Sequence, residues 1–291
     1  SDDSVVPNIY LDVYQNGNKY TEEPVMLKGG NKDNRQLTYV FKGLPKYSIE
    51  GKEYVYTVEE VLGDGVEGYT QNITPENDGY IVENIFDNTT IDINFTKVWE
   101  GINEDSVVPD IKLYLYQNGN KYTDEPVTLK GGNSENRELT YVFKELPKYS
   151  TDGNKYTYKV VEEVPDGYIS SGEATVDANN NATITNRFTP GKVSISGTKT
   201  WNMVSESDLS SVPTITIRLQ SSTDGILWSN VNDKVVELKA GELAFEFKDL
   251  PEYSVEGNKY KYRVVETPLV GYTSSNNGSY NILNTYTPGE T

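Results

Sequence analysis

The chain states one pattern three times, and that repetition limits its possible folds more than any single motif does. "SDDSVVPNIYLDVYQNGNKYTEEPVMLKGGN" from residue 1 returns as "NEDSVVPDIKLYLYQNGNKYTDEPVTLKGGN" from residue 103. "LTYVFKGLPKYS" returns as "LTYVFKELPKYS" and more loosely as "LAFEFKDLPEYS". Each unit continues into a Tyr-rich segment ("YVYTVEE", "YTYKVVEE", "YKYRVVE"), a Gly-Tyr step and a last apolar segment ("YIVENIF", "ATITNRF", "YNILNTY"). Pro-Gly breaks a strand, so "FTPGK" and "YTPGE" punctuate the array. Solenoid repeats run to 20–45 residues; the lysines of two units, Lys97 and Lys199, stand 102 apart, which suits separate domains. The expected domains are 1–88, 89–190 and 191–291.

Within a unit the signals are short and strand-like. "IKLYLYQ" and "TITIRLQ" alternate apolar and polar residues, and "YQNGNKY" carries an Asn-Gly hairpin turn. Twenty-three Tyr residues favour strands. No amphipathic helix stands out, so the expectation is an all-β chain of tandem Ig-like β-sandwiches. The third unit replaces the Gln-Asn-Gly hairpin with "SSTDGILWSNVNDKVVELKAGE", the place for unit-specific surface, and Trp228 within it reads as a strand-core residue.

Charge and composition remove several functions. Forty-four acidic residues against 26 basic give a net charge of −18, which disfavours nucleic acid and anionic membranes. With no His and no Cys there are no disulfides, no usual zinc ligands, and no His-based triad or cysteine nucleophile. No apolar run is long enough to span a bilayer and no signal peptide heads the chain, so the expectation is a segment of mature, soluble material. "DANNNATI" places Asp177, Asn179 and Asn181 at alternate positions but lacks the Gly and closing Glu of a calcium loop; it reads as a solvated turn, and no metal site or cofactor is expected.

The phase of the strands exposes an anomaly. In "TIDINFTKVWEG" the residues Ile91, Ile93, Phe95, Lys97 and Trp99 share one face, so a lysine sits in the apolar row. Lys199 does the same in the row Val193, Ile195, Gly197, Lys199, Trp201. The Tyr-rich strands put Glu60, Glu162 and Glu266 in the buried phase, and the last strands put Asn84, Asn186 and Asn284 there. The glutamates are separated by 102 and 104 residues, and the asparagines by 102 and 98. Three separate polar residues in a small core are costly, whereas three that meet satisfy one another. Taken by itself, this pattern fits a buried Lys–Glu ion pair with an Asn beside it as well as it fits a reactive site.

The "TKVW" and "TKTW" strands, the "YxVxE" strand leading to Gly-Tyr, and the closing "ITN" and "ILN" together resemble the collagen-adhesin B-type (Cna B) repeats of Gram-positive surface proteins and pilins. The resemblance covers the whole chain as tandem units. It implies a transthyretin-like β-sandwich in which the first-strand lysine forms an intramolecular isopeptide bond to the last-strand asparagine, assisted by the glutamate. By that resemblance Lys97 and Asn186 are cross-linked with Glu162 as the catalytic acid, and Lys199 and Asn284 with Glu266. Desolvation lowers a lysine pKa and raises that of a glutamate, the two protonation states such a reaction needs.

The first unit departs from this pattern. It begins at a point that aligns with the residues after the Lys97 strand, so Glu60 and Asn84 form an incomplete site. Lys19, Lys28, Lys32, Lys42, Lys46 and Lys52 lie in hairpin or loop contexts and do not fill the gap; upstream residues or a neighbouring molecule are expected to complete the unit. The function implied is a monomeric, non-enzymatic stalk or spacer of a cell-surface adhesin or pilus-like protein. Host matrix protein or glycan would be bound through other regions, and cell-wall anchoring would lie in the full-length protein. A ligand-binding adhesive module and an accessory region of a carbohydrate-active enzyme are the alternatives.

Overall fold

The computed structural model describes residues 4–202, 205–276 and 278–287. The first unit contains β1 (Ile9–Gln15), β2 (Asn18–Lys19), β3 (Val25–Leu27), β4 (Tyr56–Leu62), β5 (Tyr69–Glu76) and β6 (Gly79–Phe86). The second contains β7 (Thr90–Glu100), β8 (Ile111–Gln117), β9 (Asn120–Lys121), β10 (Val127–Leu129), β11 (Thr140–Pro147), β12 (Tyr158–Glu163), β13 (Tyr168–Ile169), β14 (Glu173–Thr175) and β15 (Asn181–Phe188). The third contains β16 (Lys192–Asn202), β17 (Ile215–Ser222), β18 (Ser229–Leu238), β19 (Ala244–Pro251), β20 (Lys261–Glu266), β21 (Tyr272–Ser275) and β22 (Ile282–Tyr286). The protein is all-β; a 3-10 turn at Glu206–Ser211 is the one helical element among the described residues. Among those residues no helix is long and apolar enough to cross a membrane.

The second unit shows the sandwich in full. One sheet runs β10-β8-β12-β14, with β9 hairpinned onto β8, and the other runs β11-β7-β15-β13. The β7 and β15 strands are parallel, although the first and last strands of the unit are far apart in sequence. Ile93, Phe95, Phe143 and Ile184 from one sheet meet Ile111, Leu113, Leu115 and Val160 from the other in a single buried cluster. The Asn-Gly turns are the sharp reversals the sequence predicts: Asn118 and Gly119 have φ 48 and 80°, and Asn16 and Gly17 repeat this. Positive φ at two successive positions is the requirement of a type I′ hairpin, which Asn-Gly meets at least cost.

The third unit keeps this plan with β19-β16-β22-β21 facing β18-β17-β20, and β16 again parallel to β22. Its long variant segment becomes the β17–β18 hairpin. Trp228 does not join the core as expected. It precedes β18, donates from Nε1 to Gly225 O at 3.2 Å and lies 4.4 Å from the guanidinium of Arg263, a residue on the solvent-facing row of β20.

Among the described residues the first unit has one sheet, β1 with β2, β3 and β4, and a separate β5–β6 hairpin. Leu37–Phe41 has the sequence of β11 yet forms no strand, and Leu37 and Val40 are 80% and 69% exposed. A strand needs a neighbour for its backbone groups, and in the second unit that neighbour is β7.

Successive units touch through the same residues. Tyr69 Oη donates to Thr151 O, and Glu67 N and Gly68 N both donate to Gly153 O at 2.9 Å. Tyr168 Oη donates to Val255 O at 2.5 Å. The Gly-Tyr step of one unit therefore rests on the Tyr-Ser turn of the next.

Gly197 occupies in β16 the position of Phe95 in β7, and the Phe245 ring of β19 packs across it. A Cβ there would overlap that ring and Tyr280 O. Gly197→Val should destabilise the third unit by about 1–3 kcal/mol through overpacking, measured as a lower urea midpoint; an unchanged midpoint would show that the Phe245 ring moves freely.

Candidate functional site

Each polar residue in the apolar rows is delivered to the sandwich interior by its own strand. Lys97 on β7 and Asn186 on β15 belong to one sheet, and Glu162 on β12 faces them from the other. In the parallel register Lys97 stands beside Ile184 and Trp99 beside Asn186, so the lysine and asparagine are diagonal neighbours. Lys97 Nζ donates to Glu162 Oε2 at 2.8 Å, and Asn186 Nδ2 donates to Glu162 Oε1. Both charged side chains are 0% exposed. Glu163, one residue on, is in the solvent phase, paired with Lys112 at 3.2 Å and accepting from Tyr114 Oη at 2.9 Å.

The third unit brings together the corresponding trio with a looser lysine. Asn284 Nδ2 donates to Glu266 Oε1 at 2.6 Å, but Lys199 Nζ lies 3.6 Å from Oε2. Ser274 Oγ also donates to that oxygen, at 3.2 Å, and Lys199 Nζ turns to Thr200 O at 3.3 Å. In the first unit Asn84 Nδ2 donates to Glu60 Oε1 at 2.8 Å, and Glu60 Oε2 is buried with no partner. The carboxamide Oδ1 of Asn84, Asn186 and Asn284 is buried without a hydrogen-bond donor in all three units.

Burial dominates the electrostatics. It pushes Lys97 and Lys199 down to about 8, outweighing the pull of the neighbouring carboxylates. It raises the Glu60 carboxyl, against the opposing hydrogen bond from Asn84.

An aromatic lid covers each lysine; strand phase put its tryptophan on the lysine's face but did not reveal the rings stacked behind it. Lys97 Nζ lies 4.8 Å from the Trp99 ring centroid, Trp99 meets Tyr168 edge-on at 4.9 Å, and Tyr168 packs on Phe188 at 5.3 Å. Lys199, Trp201, Tyr272 and Tyr286 repeat the arrangement, at 4.3, 5.0 and 5.4 Å. The recurring Gly-Tyr step and the Trp two residues after each lysine were its sequence signal. Elsewhere, Asp177 Oδ1 accepts from Asn179 N at 2.9 Å and Asn181 N at 2.7 Å, which makes that Asn-rich stretch a hydrogen-bonded turn.

The model of the Cna protein B-type domain matches three times, over residues 1–85, 93–187 and 195–285. The chain belongs to the Cna B-type family. A collagen adhesin of Staphylococcus aureus is 29% identical over 242 residues, which is 82% of this chain and 19% of that protein. The crystal structure of two B repeat units of the S. aureus collagen binding protein is 27% identical, with a TM-score of 0.28; the match covers 98% of this chain and 71% of that one. The major pilin T-13 of Streptococcus pyogenes is 12% identical, with a TM-score of 0.35, over 68% of this chain and 98% of that one.

Asn186→Ala leaves the Lys97 amine and the Glu162 carboxyl facing each other. The lysine's folded value of about 8 lies below its ordinary 10.5, so between these pH values the unfolded chain binds a proton that the folded unit does not. Stability of that unit should then rise with pH across this interval. Tyr158 and Tyr168, held up to about 12 by burial, act the opposite way above pH 10, so the urea midpoint is best compared at pH 8 and pH 10. A midpoint that falls between them would contradict the low lysine value.

Proposed function

We propose that this chain is a stalk or spacer segment of a bacterial cell-surface adhesin or pilus-like protein, built of domains 1–88, 89–190 and 191–291. In this reading the second and third domains are each locked by a self-formed Lys–Asn isopeptide bond. The observation that carries it is the buried contact of Lys97 and Asn186 with one carboxyl, Glu162, repeated by Lys199, Asn284 and Glu266.

The reaction uses groups already in place. A proton moves from Lys97 to Glu162, leaving a neutral amine and a carboxylic acid, an exchange favoured where burial penalises both charges. A half-turn of the Asn186 carboxamide brings Oδ1 to the protonated Glu162, which then donates a hydrogen bond and polarises the carbonyl. Nζ attacks Cγ, the Cγ–Nδ2 bond breaks, and Glu162 carries a proton from the amine to the leaving nitrogen, which departs as ammonia. Alignment of intramolecular groups is worth effective molarities of about 10⁵ M or more, so one weak acid suffices as the only catalyst. The product is a neutral amide, and the charge burial disappears with it. Each domain reacts once on itself, so the chain is not a turnover enzyme.

The mechanical consequence follows from where the bond lies. Force that enters at Thr90 and leaves at Phe188 would pass from Lys97 into Asn186 across a covalent link. Residues 98–185 then lie off the load path, where otherwise a ladder of hydrogen bonds worth about 1 kcal/mol each would be sheared. Such a segment sits outside the cell, and binding of matrix protein or glycan belongs to other regions of the full-length protein.

Intact-mass measurement of the folded chain should show it lighter than its sequence by two ammonia molecules. An unshifted mass would leave the ion pair and remove the cross-link. Glu162→Ala and Glu266→Ala should each restore one ammonia, while Glu163→Ala should not; the reverse pattern would assign the acid to the wrong carboxylate.

A further inference from the structure

The third unit leaves open a sheet edge that the second unit covers. In the second unit β14 lies against β12: Val176 N donates to Tyr158 O at 3.1 Å and Glu162 N to Gly172 O at 2.6 Å. Glu173 of β14, opposite Val161, accepts from Lys159 Nζ at 2.8 Å. The third unit is six residues shorter between the Gly-Tyr step and the asparagine, 271–284 against 167–186. Its chain stays on β22 through the four residues of β21, whereas β13 has two residues before the chain crosses to form β14. Among the described residues that sheet of the third unit therefore ends at β20, in the order β18-β17-β20. Thr267 N donates to Thr216 O at 2.9 Å, so by alternation Tyr262, Val264 and Glu266 turn their backbone groups away from β17. On that open side Val264 O accepts a long bond from Asn276 Nδ2, at 3.5 Å. Tyr262 is half-buried where Tyr158 is buried, and Val265 is 38% exposed.

The side chains beside this edge are cationic. Arg263 is the counterpart of Lys159; in place of a glutamate it meets Gln220 Oε1 at 2.8 Å and the Trp228 ring. Lys261 donates to Asp224 O at 3.3 Å, and Arg218 is exposed on the same face, opposite Val265. An open edge is a template for another strand, and like charges keep two basic edges apart, so the strand this edge admits is an acidic one. We propose that β20 docks an extended acidic segment of a partner protein, added antiparallel to its open edge. β14 supplies the register: a carboxylate opposite Val265 reaches Arg263 as Glu173 reaches Lys159, and a small apolar residue stands opposite Val264 as Ala174 stands opposite Val160. The contact is lateral to the stalk and independent of any cross-link.

The test titrates the full chain with a synthetic peptide of residues 170–177, "SSGEATVD", up to about 1 mM. The amides of Tyr262, Val264 and Glu266 should gain protection from hydrogen exchange. Arg263→Glu, a change at an exposed position, should weaken binding about threefold or more, as expected when a cross-strand charge pair becomes a repulsion. A peptide carrying Glu173→Lys should bind that variant more tightly than the unaltered chain, a rescue that misfolding would not give. Equal affinity in all four combinations overturns the acidic occupant. No gain in protection at the highest peptide concentration, or a gain confined to another strand, overturns the site. Dimerisation of the chain alone that protects the same amides would make the occupant a second copy and overturn the partner proposed.

Discussion

Everything in the complete units is arranged around one ion pair in an apolar core. Lys97 and Glu162 are wholly removed from water, a placement that costs several kcal/mol per ion in desolvation and is offset only where the charges meet with good geometry. That cost constrains the fold. The lysine must come from one sheet and the glutamate from the other, so the sandwich has to close face to face at this point for either to be tolerated. Asn186 adds the remaining contact to the carboxyl, and the parallel register of β7 and β15 sets it diagonal to the lysine. Shift either strand by one residue and Lys97 or Asn186 turns outward.

The three units differ in how far they meet this constraint. The second has its lysine 2.8 Å from the carboxylate; in the third the distance is 3.6 Å, with Ser274 taking a share of the same oxygen. In the first, the described residues show Asn84 bonded to the Glu60 carboxyl at 2.8 Å. The aromatic lid links this interior chemistry to the outside of the unit. Tyr168 packs its ring on Trp99, which covers Lys97, and sends its hydroxyl to Val255 of the next unit. One side chain thus shields the lysine from water and fixes the joint between units.

Strand phase was enough to find Lys97, Glu162 and Asn186 and their counterparts, because a period of two assigns faces without any knowledge of pairing. It also decided between Glu162 and Glu163, which differ only in phase. The Asn-Gly turns were equally plain, since few residues accept positive φ twice in succession. What stayed hidden depends on distant partners. Leu37–Phe41 is identical in sequence to the opening of the segment that forms β11, yet it is not a strand, because propensity cannot supply the missing neighbour. The parallel union of β7 with β15 and the stacking of Trp99 on Tyr168 bring together residues far apart in sequence, and no local pattern encodes that geometry. The same applies to Ser274, whose contact with Glu266 depends on β21 pairing with β22. Trp228 was assigned to the core from its hydrophobicity alone, but the indole also has a polar edge and a face that attracts guanidinium, and Gly225 O and Arg263 meet both.

The position of the site within the parallel pair would give the proposed cross-link its mechanical sense. In β7 the lysine lies close to the C-terminal end, and in β15 the asparagine lies close to the C-terminal end as well. The link proposed between them would leave the start of β7 and the end of β15 to carry the load. The start of β7 is the longer of these two stretches, and it is paired on both edges, with β11 and with β15. Peeling it away would require breaking both ladders up to Lys97, where the proposed cross-link would stop it. The core residues Ile93 and Phe95 lie on that same stretch, so its resistance comes from burial as well as from backbone pairing.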